Sequence, residues 1–322
     1  MTRIFASASL FALFSICAIA QTPGWPARTV RVIAPFAAGG TADLLGRITA
    51  GKLSESFGQS FIVENRAGAG GVLGSELVAR SAPDGYTLLV SGVASHAIAP
   101  ALSPKFPFDP VKDFAHIALF GGPPSVLAIH PSLPVRDLKS FIAFAKSKPR
   151  ELTYGSPGNG TQGHLIAEVF KRAAGIDIQH VPYKGASGAV VDVMAGHTHA
   201  ISTTLTTASA QIRAGRLRAL ATSAATRLPD YPDLPTYREA GYPELVAAIW
   251  FSLSGPAALP PDIVNRLNSE VRRVLQLPDV RARLRPEGIE PGNLDPKAFT
   301  EFVAAEVKRW APVVKASGAR TD

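Results

Sequence analysis

The stretch Thr29-Val-Arg-Val-Ile-Ala-Pro-Phe-Ala-Ala-Gly-Gly-Thr-Ala-Asp43 decides the fold. It opens with a β-branched, apolar run of strand character over 29–34. Past the turn the pattern changes to a helix over 42–57, with Leu44, Leu45, Ile48 and Leu53 on one face. Strand, glycine turn and helix in succession make one βα unit. The alternation continues with a strand at 61–64, a helix at 71–80 and a strand at 86–91. The apolar stretch 117–129 is too long for one ordinary strand and is broken by Gly121-Gly122-Pro123-Pro124, so it reads as a strand leaving one sheet for another.

The pattern then restarts. Helices at 138–146, 161–174 and 189–195 alternate with strands at 152–155, 179–182, 200–203 and 217–222. The second of these helices aligns Leu165, Ile166, Val169 and Phe170. A loop rich in Pro, Asp and Tyr (228–235) precedes a return strand within 247–253. Two C-terminal helices follow, lined by Ile263, Leu267, Val271 and Leu275 and by Phe299, Phe302, Val303 and Trp310. Repeated βα units predict mostly parallel sheets with helices on both faces. The restart predicts two lobes, 21–125 plus 250–322 and 126–249. Two crossings between them form a hinge, with a cleft between the lobes.

Composition agrees. The 322 residues are 46% apolar (AVILMFWYC) and 18% charged (DEKR), which excludes disorder and coiled coil. With 28 Gly and 27 Pro the chain is too punctuated for a helical bundle, and collagen periodicity is absent. The one cysteine, Cys17, excludes an intramolecular disulfide framework and a cysteine-rich zinc site. Residues 1–20 read as a cleavable signal peptide: Arg3, an apolar run from Leu10, and Ala18-Ile19-Ala20 before the cut. Ile16 before Cys17 argues against a lipoprotein signal. Cleavage would remove the only cysteine and one positive charge from a net of +8, leaving a cysteine-free chain suited to an oxidising compartment. The expected location is periplasmic. Basic residues are dispersed, so the charge is not that of a nucleic-acid binder.

Three glycine turns stand before helices: Pro35–Asp43, Gly68–Gly71 and Gly155–Gly163. A helix start leaves backbone N–H groups unpaired and carries partial positive charge, and glycine lets a ligand approach closely. A carboxylate placed there needs no dedicated arginine. If the first and third turns face one cleft from different lobes, a small anion is held from two sides. At roughly 1.5–3 kcal/mol per charge-assisted bond, three or four bonds support micromolar binding. The alternative is that the glycines only make tight βα turns. Asp43 is either a ligand contact or a local cap, and Tyr183 either lines the cleft rim or fills the core.

Other motifs fail on context. Gly158-Asn-Gly160-Thr-Gln-Gly163 fits G-x-G-x-x-G, but the next strand ends in His180-Val-Pro-Tyr-Lys184 without the acid a dinucleotide site needs. There is no P-loop and no G-x-S-x-G elbow. His197-Thr-His199 could place two imidazoles on one strand face for a metal, with His164 or His180, but nothing in the spacing makes them converge. An enzyme using His164 or His199, or a histidine-based metal carrier, is the rival reading.

The sequence resembles the Bug-type extracytoplasmic solute receptors of tripartite tricarboxylate transporters. The resemblance runs from Trp25 to the end, through 25–43, Val63-Glu-Asn-Arg-Ala-Gly-Ala-Gly-Gly71, Tyr154-Gly-Ser-Pro-Gly-Asn-Gly160, His180-Val-Pro-Tyr-Lys-Gly185, 214–221 and 233–241. It implies an α/β, periplasmic-binding-protein type II-like fold whose two lobes are joined by a two-strand hinge. It implies a small carboxylate held by backbone amides and water, with no catalysis, cofactor or metal. Implied partners are the membrane subunits of the carrier, or a sensor protein, for a monomeric receptor with no nucleic acid. The binding residues expected are Phe36, Gly39, Gly40, Thr41 and Asp43 in lobe one, and Ser156, Gly160, Thr161, His164 and Tyr183 in lobe two. Two departures bear on the ligand. His197-Thr-His199 and Ile201-Ser202-Thr203 stand where the family carries acids, which disfavours a ligand with an amino group. Ala99 stands where Asn is common, removing a possible amide contact.

Overall fold

A computed structural model describes residues 24–103, 105–247 and 249–317. The expected signal peptide lies outside the described residues. The first half runs β1 (Val30–Ala34), α1 (Thr41–Phe57), β2 (Phe61–Asn65), α2 (Val72–Ala79), β3 (Thr87–Gly92), α3 (Ala99–Leu102), β4 (Phe114–Gly121), β5 (Ser125–Ile129) and α4 (Leu138–Ser147). Next come β6 (Thr153–Ser156), α5 (Gln162–Ala174), β7 (Gln179–Pro182), α6 (Ala186–Met194), β8 (Ala200–Thr204), α7 (Leu205–Arg213) and β9 (Arg218–Thr222). The chain ends with β10 (Phe251–Pro256), α8 (Pro261–Leu275), α9 (Pro278–Leu284) and α10 (Pro296–Ser317).

The strands form two five-stranded sheets, ordered β2-β1-β3-β10-β4 and β7-β6-β8-β5-β9. Parallel pairs dominate one side of each. A single antiparallel strand, β10 in the first and β5 in the second, is inserted beside them. Period-two alternation covers both faces. Val30 and Val32 join the core under α1 and α8, while Ile33 points to the opposite side with Val78 and Leu89. In the second sheet Leu127 and Ile129 face the core containing Phe141 and Phe170, and Val126 and Ala128 face Ala189 and Leu205. Burial on both faces is why these strands read as continuous apolar runs.

The chain passes between sheets twice, from β4 to β5 through Gly121–Pro124 and from β9 back to β10 through Ile249 and Trp250. The two crossings touch: a Cβ on Gly122 would lie 2.3 Å from the Ile249 carbonyl oxygen, so only glycine fits there. The C-terminal helix fastens this region. The indoles of Trp250 and Trp310 both donate to Glu306 Oε2, at 3.0 and 3.1 Å. Trp310 and Val314 of α10 share an apolar cluster with Leu165 of α5, so α10 covers the boundary between the lobes as well as the first sheet.

Three elements differ from the sequence reading. The short helix α9 stands between the two C-terminal helices expected from the sequence. The run 205–213 is a helix that the sequence reading does not contain; its inner face, Leu205, Ala208, Ser209 and Ile212, carries only two large apolar residues. After β3 the chain enters a π-helical turn at Ala94–Ile98 before α3. Its residues Ser95, His96, Ala97 and Ile98 are all buried, polar and apolar alike, so no alternation of faces marks it in the sequence.

Candidate ligand-binding site

The carboxyl ends of the parallel strands in both sheets point at one another. Ligand sites in α/β sheets form at such ends. Between them lies a cavity of about 60 Å³. At roughly 10–15 Å³ per water it has room for about four waters, or a small acid. Four helix starts border it: Gly40–Ala42 of α1, Thr161–Gly163 of α5, Ala186 of α6, and Thr204 with Thr207 of α7. None of these helices has a side-chain cap on its first N–H groups. By contrast α4, which does not border the cavity, carries a full capping box built by Asp137 and Ser140. Four positive helix ends therefore meet where, among the described residues, no charged side chain lines the wall. Phe36, Val93, Ile249 and Phe251 supply apolar wall.

Of the residues expected from sequence, Phe36, Gly40, Thr41 and Thr161 border this cavity. The others do not. Asp43 instead fixes the first turn. It accepts from Gly39 N (3.1 Å), Arg47 Nε (3.0 Å) and Asn65 Nδ2 (3.0 Å). Burial works against its charge, but the bonds from Arg47, Gly39 and Asn65 outweigh it and hold the carboxyl below its usual range. Ser156 hydrogen-bonds His180 Nε2 at 2.7 Å and takes the Gly158 N–H at 3.2 Å. His164 Nδ1 accepts from Gly160 N at 3.2 Å and stacks on His180 with ring centroids 4.1 Å apart. Burial first, then His164 and Lys171, push the His180 imidazole down to about 3, so it is neutral. These residues shape the 156–161 turn from behind.

Gly160 sits at φ +71°, and a Cβ there would lie 2.7 Å from Leu102 Cδ1. It holds a left-handed turn against lobe one and does not touch the cavity. Tyr183 donates to Asp192 and lines an adjoining crevice of about 210 Å³ with Phe36, Gly68–Gly71 and Pro157. The expectation that the segment after Gly196 borders the site is not met by His197 and His199. His199 Nδ1 accepts from Thr153 N at 3.1 Å at the start of β8, the far end of the strand. His197 faces Asp192 at 3.4 Å. Ala99 also lies off the cavity wall.

Sequence reasoning missed Gln162, Thr204, Thr207, Ala186 and Ser95, all of which border the cavity. A signal existed for α7: Thr204 followed three residues later by Thr207, as at a helix start, and the two hydroxyls lie 2.9 Å apart. Ser95 is held by His96 Nδ1 at 2.9 Å.

A family model described as "Tripartite tricarboxylate transporter family receptor" matches residues 45–319. The chain belongs to this receptor family. BugT of Bordetella pertussis is 37% identical across 99% of both chains. An adipate-bound protein of R. palustris shares 37% identity with a TM-score of 0.88, over 92% of this chain and 99% of that one. MatC from Rhodopseudomonas palustris, solved with bound malate, shares 34% identity with a TM-score of 0.86, over 90% and 100%. The receptor fold is thus shared with proteins solved around dicarboxylates. In this receptor, among the described residues, no group of three His, Cys, Asp or Glu side chains could hold a metal, and no helix is long and apolar enough to cross a membrane.

Proposed function

We propose that this protein is a periplasmic solute receptor that captures a small carboxylate by closing its two lobes over backbone amides. The observation that carries this reading is the meeting of four uncapped helix starts, two from Gly40–Thr41 and Thr161–Gln162 in different lobes, around one cavity with no charged side chain. N–H groups of α1 and α5 would hold the carboxylate, with Thr41, Thr161 and Thr204 hydroxyls around it. The lobes of the proposal are 21–125 plus 250–322 and 126–249, hinged at the paired crossings near Gly122 and Ile249. Adipate and malate in related receptors support the ligand class. The absence of any acidic side chain on the wall supports a ligand without an ammonium group.

Secretion through the 1–20 leader and delivery to the membrane subunits of a tripartite tricarboxylate-type carrier complete the role, with no chemical change to the ligand. The test is a panel of mono-, di- and tricarboxylates followed by calorimetry and thermal melting. A ligand that binds the folded state raises the melting temperature, by about 2.7 kcal/mol of stabilisation at a hundredfold excess over Kd. At least one acid of the panel is expected to bind at micromolar affinity. No shift and no heat across the panel would overturn the reading.

A further inference from the structure

Gln162 opens α5 at the cavity wall and is 3% exposed. Neither its Nε2 nor its Oε1 has a protein hydrogen-bond partner among the described residues. Both atoms belong to a side chain more than nine-tenths buried that borders the proposed carboxylate seat. Buried carboxamides ordinarily satisfy both ends, so this one points to a ligand.

The chemistry of that ligand follows from what the rest of the wall offers. The helix starts present N–H donors. The Thr41 and Thr204 hydroxyls are engaged with one another at 2.7 Å, and Thr204 also with Thr207. A carboxylate needs only donors, and against a carboxamide it satisfies Nε2 while leaving Oε1 facing another acceptor or a methylene. The group that matches both ends carries a donor and an acceptor side by side. A 2-hydroxycarboxylate does so: its O–H donates to Oε1, and a neighbouring carboxylate oxygen accepts from Nε2. An ammonium could also donate to Oε1, but it would lie among four positive helix ends with no carboxylate on the wall. We infer that Gln162 is a specificity-determining residue that reads a hydroxyl beside the bound carboxylate, so that the receptor prefers 2-hydroxy acids to their deoxy counterparts. This inference rests on the proposed carboxylate seat.

The experiment uses two matched pairs, lactate with propionate and malate with succinate, titrated into the full mature protein by calorimetry. A buried site built for a hydroxyl discriminates strongly against the analogue lacking it, so the hydroxy acid of at least one pair should bind about tenfold tighter or more. In Gln162→Leu both acids lose the bond from Nε2 and should weaken by about tenfold, the hydroxy acid further through the lost O–H bond to Oε1, so that the preference falls below about twofold. Gln162→Glu, nearly the same shape, sets a carboxylate against the anion and should weaken both members of the pair by about thirtyfold or more while the protein stays folded by circular dichroism. Equal affinities within each pair in the wild type overturn the role of Gln162 and leave the carboxylate reading intact, as does a preference that survives in Gln162→Leu. If Gln162→Leu does not fold, the wild-type ratio and Gln162→Glu decide. No binding of any of the four acids at millimolar concentration overturns the hydroxy-acid inference, and the carboxylate reading falls with it only when the wider panel of mono-, di- and tricarboxylates is silent as well.

Discussion

The hydroxyl of Thr41 lies 2.7 Å from the hydroxyl of Thr204, joining the first residue of α1 to the last residue of β8. Nearby, Ala37 N donates to the Lys184 carbonyl at 3.3 Å. Both bonds link the first sheet's loops to the second's, the first at the cavity and the second beside the adjoining crevice that Lys184 lines. On the proposed mechanism they form as the lobes close, so part of the closing free energy is independent of the ligand's chemistry.

Thr41→Val keeps the shape of the side chain and removes that bond. One neutral hydrogen bond contributes about 1 kcal/mol, so affinity for a bound acid should fall about fivefold. The loss should sit in dissociation, seen as a faster off-rate in stopped-flow fluorescence with an almost unchanged on-rate. The free protein should melt within about 2 °C of wild type. An unchanged off-rate would mean that the pair does not hold the closed form.

Gly160→Val tests the turn behind the cavity. The backbone there is left-handed and Leu102 stands where a Cβ would go, so the variant meets strain and overpacking together. The expected cost is about 3 kcal/mol of folding stability, read from urea denaturation. A variant as stable as wild type that binds poorly would instead return Gly160 to the ligand-contacting set.

Binding should be indifferent to mild changes in pH. Among the described residues no titratable side chain borders the cavity, and small mono- and dicarboxylic acids are almost fully ionised above about pH 6.5. The dissociation constant is expected to stay constant within about twofold from pH 6.5 to 9. A steep dependence in that window would reveal an ionisable group in contact with the ligand.

Stability should respond to pH where binding does not. Burial pushes His116 down from 6.5 to about 4, and His96, wholly buried beside it, well below its ordinary value. His180 behind the 156–161 turn behaves likewise. Between those values and 6.5 the unfolded chain binds protons that the folded protein does not. Stability is therefore complete above pH 7 and is lost as pH falls from 6.5 towards 4. Melting temperatures measured across that interval should decline steadily, and a flat profile would contradict neutral buried imidazoles.

The sequence exposed the architecture more readily than the inner surface of the site. Strand and helix alternation is written in residue periodicity, and the break at Gly121–Pro124 marks the passage between sheets because only glycine fits beside Ile249. Thr41 and Thr161 were legible because a glycine turn before a helix is a local signal. Gln162 was not, since a glutamine in a helix's first turn is ordinary until three other helix starts are seen to face it. Asp43 and His164 carried functional-looking chemistry, but their side chains turn away from the cavity to fasten the loops that form it. His197 and His199 looked like candidates by type alone; the length of β8 carries them to its opposite end from Thr204.

The central claim is that backbone amides at helix starts, and no charged side chain, hold the ligand. A crystal structure of the protein saturated with the tightest-binding acid of the panel tests it most directly. The account predicts carboxylate oxygens within hydrogen-bond distance of N–H groups in the first turns of α1 and α5, either directly or through one water. A carboxylate paired with an arginine or lysine, or seated outside the cavity between Thr41 and Gln162, would contradict it.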